Sequence, residues 1–157
     1  MTDTYDEARF SLGADAFSAF RYLSAVNALL SNPVSTSLGR DLTIRALGAR
    51  EKFSDHTGIL RNMVRKAGLF PYLKSEFSEL SQGDRIALDV YRTPFSEDFV
   101  FHSMQYRIFD LLKAGRNVVL SAPTSMGKSA IVDSLLGLGR FDRVVLVVPT
   151  VSLADET

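Results

Sequence analysis

The 157-residue chain contains no cysteine and no tryptophan, and only two histidines. Without cysteine there are no disulfides, no thiolate catalysis and no cysteine-ligated zinc. His56 and His102 are too few and too far apart in sequence to make an imidazole metal site. An excess of either charge is missing as well: 18 Lys and Arg face 18 Asp and Glu, a formal net charge of zero. The balance holds on both sides of residue 97, with 12 basic and 12 acidic residues before it and 6 of each after it. A broad basic face for nucleic acid is therefore excluded, and any such binding must come from local placement. No apolar run approaches the roughly 18 residues of a membrane span. The first residues, with Asp3, Asp6 and Glu7, lack the basic start of a secretory signal. These absences predict a cytoplasmic protein. Internal repeats and low-complexity tracts are also lacking.

What is present divides in two. Residues 1–97 read as a mainly α-helical accessory domain. Apolar positions over 15–30, from Phe17 to Leu30, share one helical face and end at Asn32-Pro33. Further helices are expected over 37–52 and over 55–66, the latter with Ser54 as N-cap and Gly68 beyond its end. Shorter ones are expected over 71–77 and 84–91. Phe17, Phe20, Tyr22, Leu23, Leu69, Phe70 and Tyr72 are the expected core. Arg61 and Arg65, one turn apart, either hold a nucleic-acid phosphate or form a solvated face, the commoner case. Turn chemistry over 93–98 marks a linker.

The second part, residues 98–157, carries the chemistry. Residues 117–121 are a short, β-branched apolar run suited to a buried parallel strand, and 130–136 have helical spacing. Between them stand Ala122, Pro123, Thr124, Ser125, Met126, Gly127, Lys128 and Ser129, a strand-loop-helix junction ending in Gly-Lys-Ser. Such a loop crowds backbone N–H donors around phosphates: Gly127 permits the tight turn, and the helix N-terminus adds unpaired donors and a favourable dipole. Lys128 supplies a point charge to the β- and γ-phosphates, and the Ser129 hydroxyl a hard oxygen for Mg²⁺. The expected ligands are ATP and Mg²⁺. Ala122 replaces the glycine that usually opens the pattern.

That departure fits one family. Residues 101–157 resemble the first motor domain of superfamily 2, DEAD/DExH-box helicases, whose first motif commonly begins Ala-Pro-Thr, although Ser125 stands where many members carry Gly. Residues 143–150 read as a second buried strand ending in Pro149-Thr150, similar to the family's motif Ia, which touches a nucleic-acid backbone. Gln105, in the helical pattern 101–112, is similar to its Q motif; a Gln amide can donate to and accept from an adenine edge at once. Phe101 and Tyr106 are candidates to stack on the base, though aromatics at this spacing are more often core.

The resemblance implies the incomplete α/β start of a RecA-like P-loop motor domain behind the helical domain. It implies the N-terminal part of an ATP-dependent nucleic-acid helicase or translocase, of the bacterial DExH type that includes phage-defence enzymes. DNA and RNA are not distinguished. Asp155-Glu156 follows no hydrophobic strand and is not the acidic pair such enzymes need. The chain thus reads as an N-terminal fragment, inactive alone because it lacks that pair and an arginine finger, itself worth roughly 10³–10⁵ in rate. Its two parallel strands are a poor sheet and predict self-association. Two other readings stay open: a P-loop ATPase acting as a switch or protein-remodelling module, and a helical domain that docks a protein partner.

Overall fold

The computed structural model describes residues 2–122, 126–140, 143–145 and 147. The N-terminal part is a pile of short helices: α1 (Thr2–Ser11), α2 (Ala19–Leu30), α3 (Thr36–Gly48), a 3₁₀ segment (Arg50–His56), α4 (Thr57–Lys66), α5 (Pro71–Glu76) and α6 (Gln82–Val90). A hairpin follows, β1 (Arg92–Thr93) and β2 (Ser96–Val100), then α7 (Ser103–Lys113) and α8 (Lys128–Gly137).

Local chemistry sets most of these ends. Ser18 caps α2 by accepting from the Arg21 N–H at 3.4 Å, and the helix stops at Ser31 ahead of Pro33. Pro71 opens α5, where its missing N–H has no intrahelical partner to lose. Ser81 and Asp84 cap α6 reciprocally: the Ser81 hydroxyl accepts from the Asp84 N–H at 3.2 Å, and the Asp84 carboxylate accepts from the Ser81 N–H at 2.9 Å.

Helix α2 is the centre of the pile, with α1, α3 and α4 packed on it. Its Tyr22, Leu23, Val26, Leu29 and Leu30 are buried against Leu42, Ala46 and Leu47 of α3 and Leu60, Met63 and Val64 of α4. Tyr22 donates its hydroxyl proton to the Leu42 carbonyl at 2.8 Å, so the buried polar tip is satisfied. Phe17, Tyr22 and Phe53 meet edge to face or tilted, with centroids 5.3–6.0 Å apart. Lys66 ties α4 to the end of α2 through Asn27 Oδ1 and Ser31 Oγ, both at 2.6 Å.

A second, smaller core joins α7 to α8. Phe101, Ile108, Phe109 and Ile131 are buried in it, with Tyr106, Leu112, Val118, Leu120 and Met126 around them. The two cores meet at consecutive residues, since Val100 is buried in the first and Phe101 in the second. Tyr91 bridges them, stacked on Phe70 at 3.9 Å and edge-on to Tyr106 at 4.8 Å.

Several expectations are corrected. Residues 37–52 and 55–66 do not make two clean helices: the first breaks at Ala49 into the 3₁₀ segment, and Ser54 does not cap α4, which starts at Thr57. Helix α1 lies where no element was expected. The linker at 93–98 is the turn of the hairpin, and the expected boundary at residue 97 falls inside β2. Phe20, placed in the core by its spacing, is 64% exposed. Residues 117–121 form no strand. The reason is pairing: among the described residues the sheet is the antiparallel β1–β2 hairpin alone, and an apolar run with no neighbouring strand has no ladder to join. Residues 143–145 and 147 form no strand either, and the rest of the stretch to 150 lies outside the described residues.

Candidate functional site

Helices α7 and α8 bring the candidate site together. Gly127 precedes α8 as its N-cap residue with φ 69° and ψ 45°, a left-handed conformation that glycine adopts without penalty. The first turn of α8 therefore presents Lys128 and Ser129 from a helix N-terminus, where unpaired N–H groups and the helix dipole favour an anion. Lys128 Nζ reaches back to donate to the Ala122 carbonyl at 2.9 Å, so the loop is closed across its mouth by the side chain expected to hold phosphate. Ser129 is exposed. Pro123, Thr124 and Ser125 lie outside the described residues.

Gln105, the residue expected to read an adenine edge, is held by the chain's own backbone in this structure. It is buried, and its amide is engaged at both ends: Oε1 accepts from the His102 N–H at 2.9 Å, and Nε2 donates to the Met126 carbonyl at 2.9 Å, with the Gly127 carbonyl at 3.4 Å. One side chain thus starts α7 and holds the backbone just ahead of α8. Gly127 matters twice here, because a Cβ on it would stand 2.8 Å from Gln105 Nε2. Phe101 is fully buried and Tyr106 partly so, both within the α7–α8 core, which is the ordinary role for aromatics at this spacing.

His102 lies beside this clamp, at the start of α7. Its buried Nδ1 faces the Gln105 N–H in the capping arrangement that opens α7, without an aligned hydrogen bond, and its ring lies 5.8 Å from that of Tyr72. Burial, and then the nearby Arg40 guanidinium, lower its pKa below the ordinary 6.5, against the Gly68 carbonyl, which favours the proton. Nothing in the sequence flagged this neighbourhood. Arg40 comes from α3, and only the packing of the helical part on α7 brings it close.

Arg61 and Arg65 are not offered to a phosphate. They flank the fully buried Asp84, with Arg61 Nε 3.1 Å from Oδ2 and Arg65 Nη1 3.5 Å from Oδ1. The Arg61 Nε contact is an ion pair without an aligned hydrogen bond, whereas Arg61 Nη1 donates to the Glu79 carbonyl at 2.7 Å. Both arginines are held by the start of α6. Pro149 and Thr150, the expected nucleic-acid contacts, lie outside the described residues. Among the described residues no helix is long and apolar enough to cross a membrane.

Were Mg²⁺-bound triphosphate to bind here, the residues to hold it would be the left-handed Gly127, Lys128 and Ser129, whose side chain lies exposed on the first turn of α8.

Comparison with known proteins places the chain elsewhere than the helicases. Residues 1–85 match the family described as anti-bacteriophage protein B N-terminal domain. The chain is 69% identical over 157 residues to anti-bacteriophage protein B of Escherichia coli (strain K12), covering all of this chain and 22% of that protein. It therefore spans about a fifth of its relative's length. No solved structure matches. These matches overturn the resemblance to superfamily 2 helicases: the family is defined by the helical residues 1–85, not by the loop segment on which the resemblance rested. The chain belongs to the anti-bacteriophage protein B N-terminal domain family.

Proposed function

We propose that this chain is the N-terminal part of an antiphage defence protein and that its loop binds a magnesium nucleoside triphosphate, which the whole protein hydrolyses. The antiphage role rests on the family and on the 69% identical relative. The nucleotide role rests on one observation above all: Gly127, left-handed at the N-terminus of α8, sets Lys128 across the loop and onto the Ala122 carbonyl. In this reading Lys128 exchanges that carbonyl for phosphate oxygens, a charge-assisted bond for a neutral acceptor. The N–H groups of the first turn of α8 donate to the same phosphates. The Ser129 hydroxyl holds Mg²⁺, which when bound neutralises phosphate charge. Gln105 keeps the loop backbone in place while this happens. Residues 117–121, with Val118 and Leu120 packed against the α7–α8 core and Val119 fully exposed, would be the first strand of an α/β unit, its further strands supplied by the remainder of the longer protein.

The test is phage plating on cells carrying the full-length protein or its Lys128→Ala variant at equal abundance. Loss of protection in the variant is expected; undiminished protection would sink the link between loop and defence.

A switch rather than a continuous turnover enzyme is a second reading, favoured by the direct seam between the loop and the family-defining helices. Ser103 N–H donates to the Gly68 carbonyl at 3.0 Å two residues before Gln105, which grips the loop. Tight ATP binding without appreciable turnover would favour the switch.

A further inference from the structure

A cavity of about 390 Å³ opens between the helical part and the phosphate loop, within the size range of small-molecule sites. Its floor is made by Gln105 and Met126, the two residues joined by the 2.9 Å bond that fixes the loop. Arg40 and His102 supply its polar groups, and Ile44, Leu69, Tyr72 and Met104 its apolar walls.

The charges in this cavity are unbalanced. Arg40 is partly buried, yet among the described residues it makes no ion pair. No carboxylate lines the cavity, and Arg40 and His102 are the two residues of its lining able to carry positive charge. Burial lowers the Arg40 pKa, as it does that of His102, the mark of groups losing water without gaining a counter-charge. A desolvated guanidinium without an acceptor is costly, and the cost is relieved by a ligand that brings acceptors. The walls add a shape requirement. An apolar lining that includes the Tyr72 ring, together with the Arg40 and His102 donors, suits a planar heterocycle with acceptor nitrogens on its edge, and a guanidinium plane can either fork onto such an edge or stack on the ring.

We propose that this cavity is the base pocket of the nucleotide site, taking the purine of a nucleotide whose phosphates lie at Gly127 and Lys128, with Arg40 and His102 toward its acceptor edge. The inference rests on the phosphate-loop reading above. It makes the family's helical domain a part of the ligand site: α3 and Tyr72 close over a base that α7 and the loop support from below.

The test separates base from phosphates. MgATP and Mg-tripolyphosphate are titrated calorimetrically into the full-length protein and its Arg40→Ala, Ile44→Trp and Lys128→Ala variants. Ile44 is 44% exposed, so a larger side chain there can fill the cavity without entering the core. Arg40→Ala and Ile44→Trp should each weaken MgATP by about tenfold or more and leave tripolyphosphate unchanged, whereas Lys128→Ala should weaken both. Equal losses for the two ligands, or no loss for either, in the Arg40 and Ile44 variants would overturn the base pocket and leave the loop standing. Unchanged tripolyphosphate binding by Lys128→Ala, or none by the wild type, would overturn the loop reading and the pocket with it.

Discussion

Two glycines and one glutamine hold the loop where it can work. Gly68 has φ 67°, and a Cβ there would run into the side chain of Ser103, the first residue of α7. Gly68→Ala should therefore cost about 1–3 kcal/mol from backbone strain, with the steric conflict added to it. Urea denaturation reads this directly, and an unchanged midpoint would show that the seam is softer than its geometry. Gln105 acts two residues later. Because its amide is bonded to the loop backbone and to His102, Gln105→Ala should weaken ATP, GTP and tripolyphosphate by similar factors, on the order of the tenfold that a lost buried hydrogen bond represents. Selective loss of ATP alone would return Gln105 to the adenine-reading role expected from sequence. The residue type was legible; its partners, 21 and 22 positions away, were not.

At the scale of elements, α6 and α7 depend on groups at their first turns. Asp84 caps α6 and neutralises Arg61 and Arg65 while fully buried, so Asp84→Ala removes a cap and leaves two guanidinium groups facing a void. The loss should be about 3 kcal/mol or more, measured by thermal or chemical unfolding; a loss under about 1 kcal/mol would mean that water replaces the carboxylate at little cost. At α7 the relevant group is His102. Its folded pKa lies below the ordinary 6.5, so the folded state takes up a proton less readily than the unfolded chain. This contribution to stability is complete above 6.5 and falls away as pH drops from 6.5 toward the lowered folded value. His102→Gln should flatten that part of the stability profile, and an identical slope in the variant would assign it to other groups.

The elements readable in advance were those with a local signature. The apolar face and Pro33 marked α2, Pro71 marked α5, and Gly127 with the Gly-Lys-Ser run marked the start of α8. Helix α1 escaped because residues 2–11 are polar and bury little beyond Ala8 and the partly buried Tyr5. The run at 117–121 has strand composition, but strand formation needs a partner, and partners are non-local.

For the whole molecule, the informative surface is the seam where two cores meet between Val100 and Phe101. Composition shows two balanced halves and suggests two independent units. The structure instead joins them through Tyr91, Gly68 and Gln105, so that the helical family domain adjoins the segment leading into α8 directly. Arg40 illustrates why this was hidden: it sits on α3, and no local pattern connects it to a loop more than eighty residues on. The family, too, lies in residues 1–85, whose helical spacing specifies a core but no chemistry, while the legible motif lies outside them.

The most direct test is calorimetric titration of MgATP into the full-length protein beside its Lys128→Ala variant. Saturable binding that the variant weakens by about tenfold or more, the worth of a charge-assisted phosphate contact, is the predicted result. Absence of binding to the wild type, or equal affinity in the two proteins, would contradict the nucleotide site.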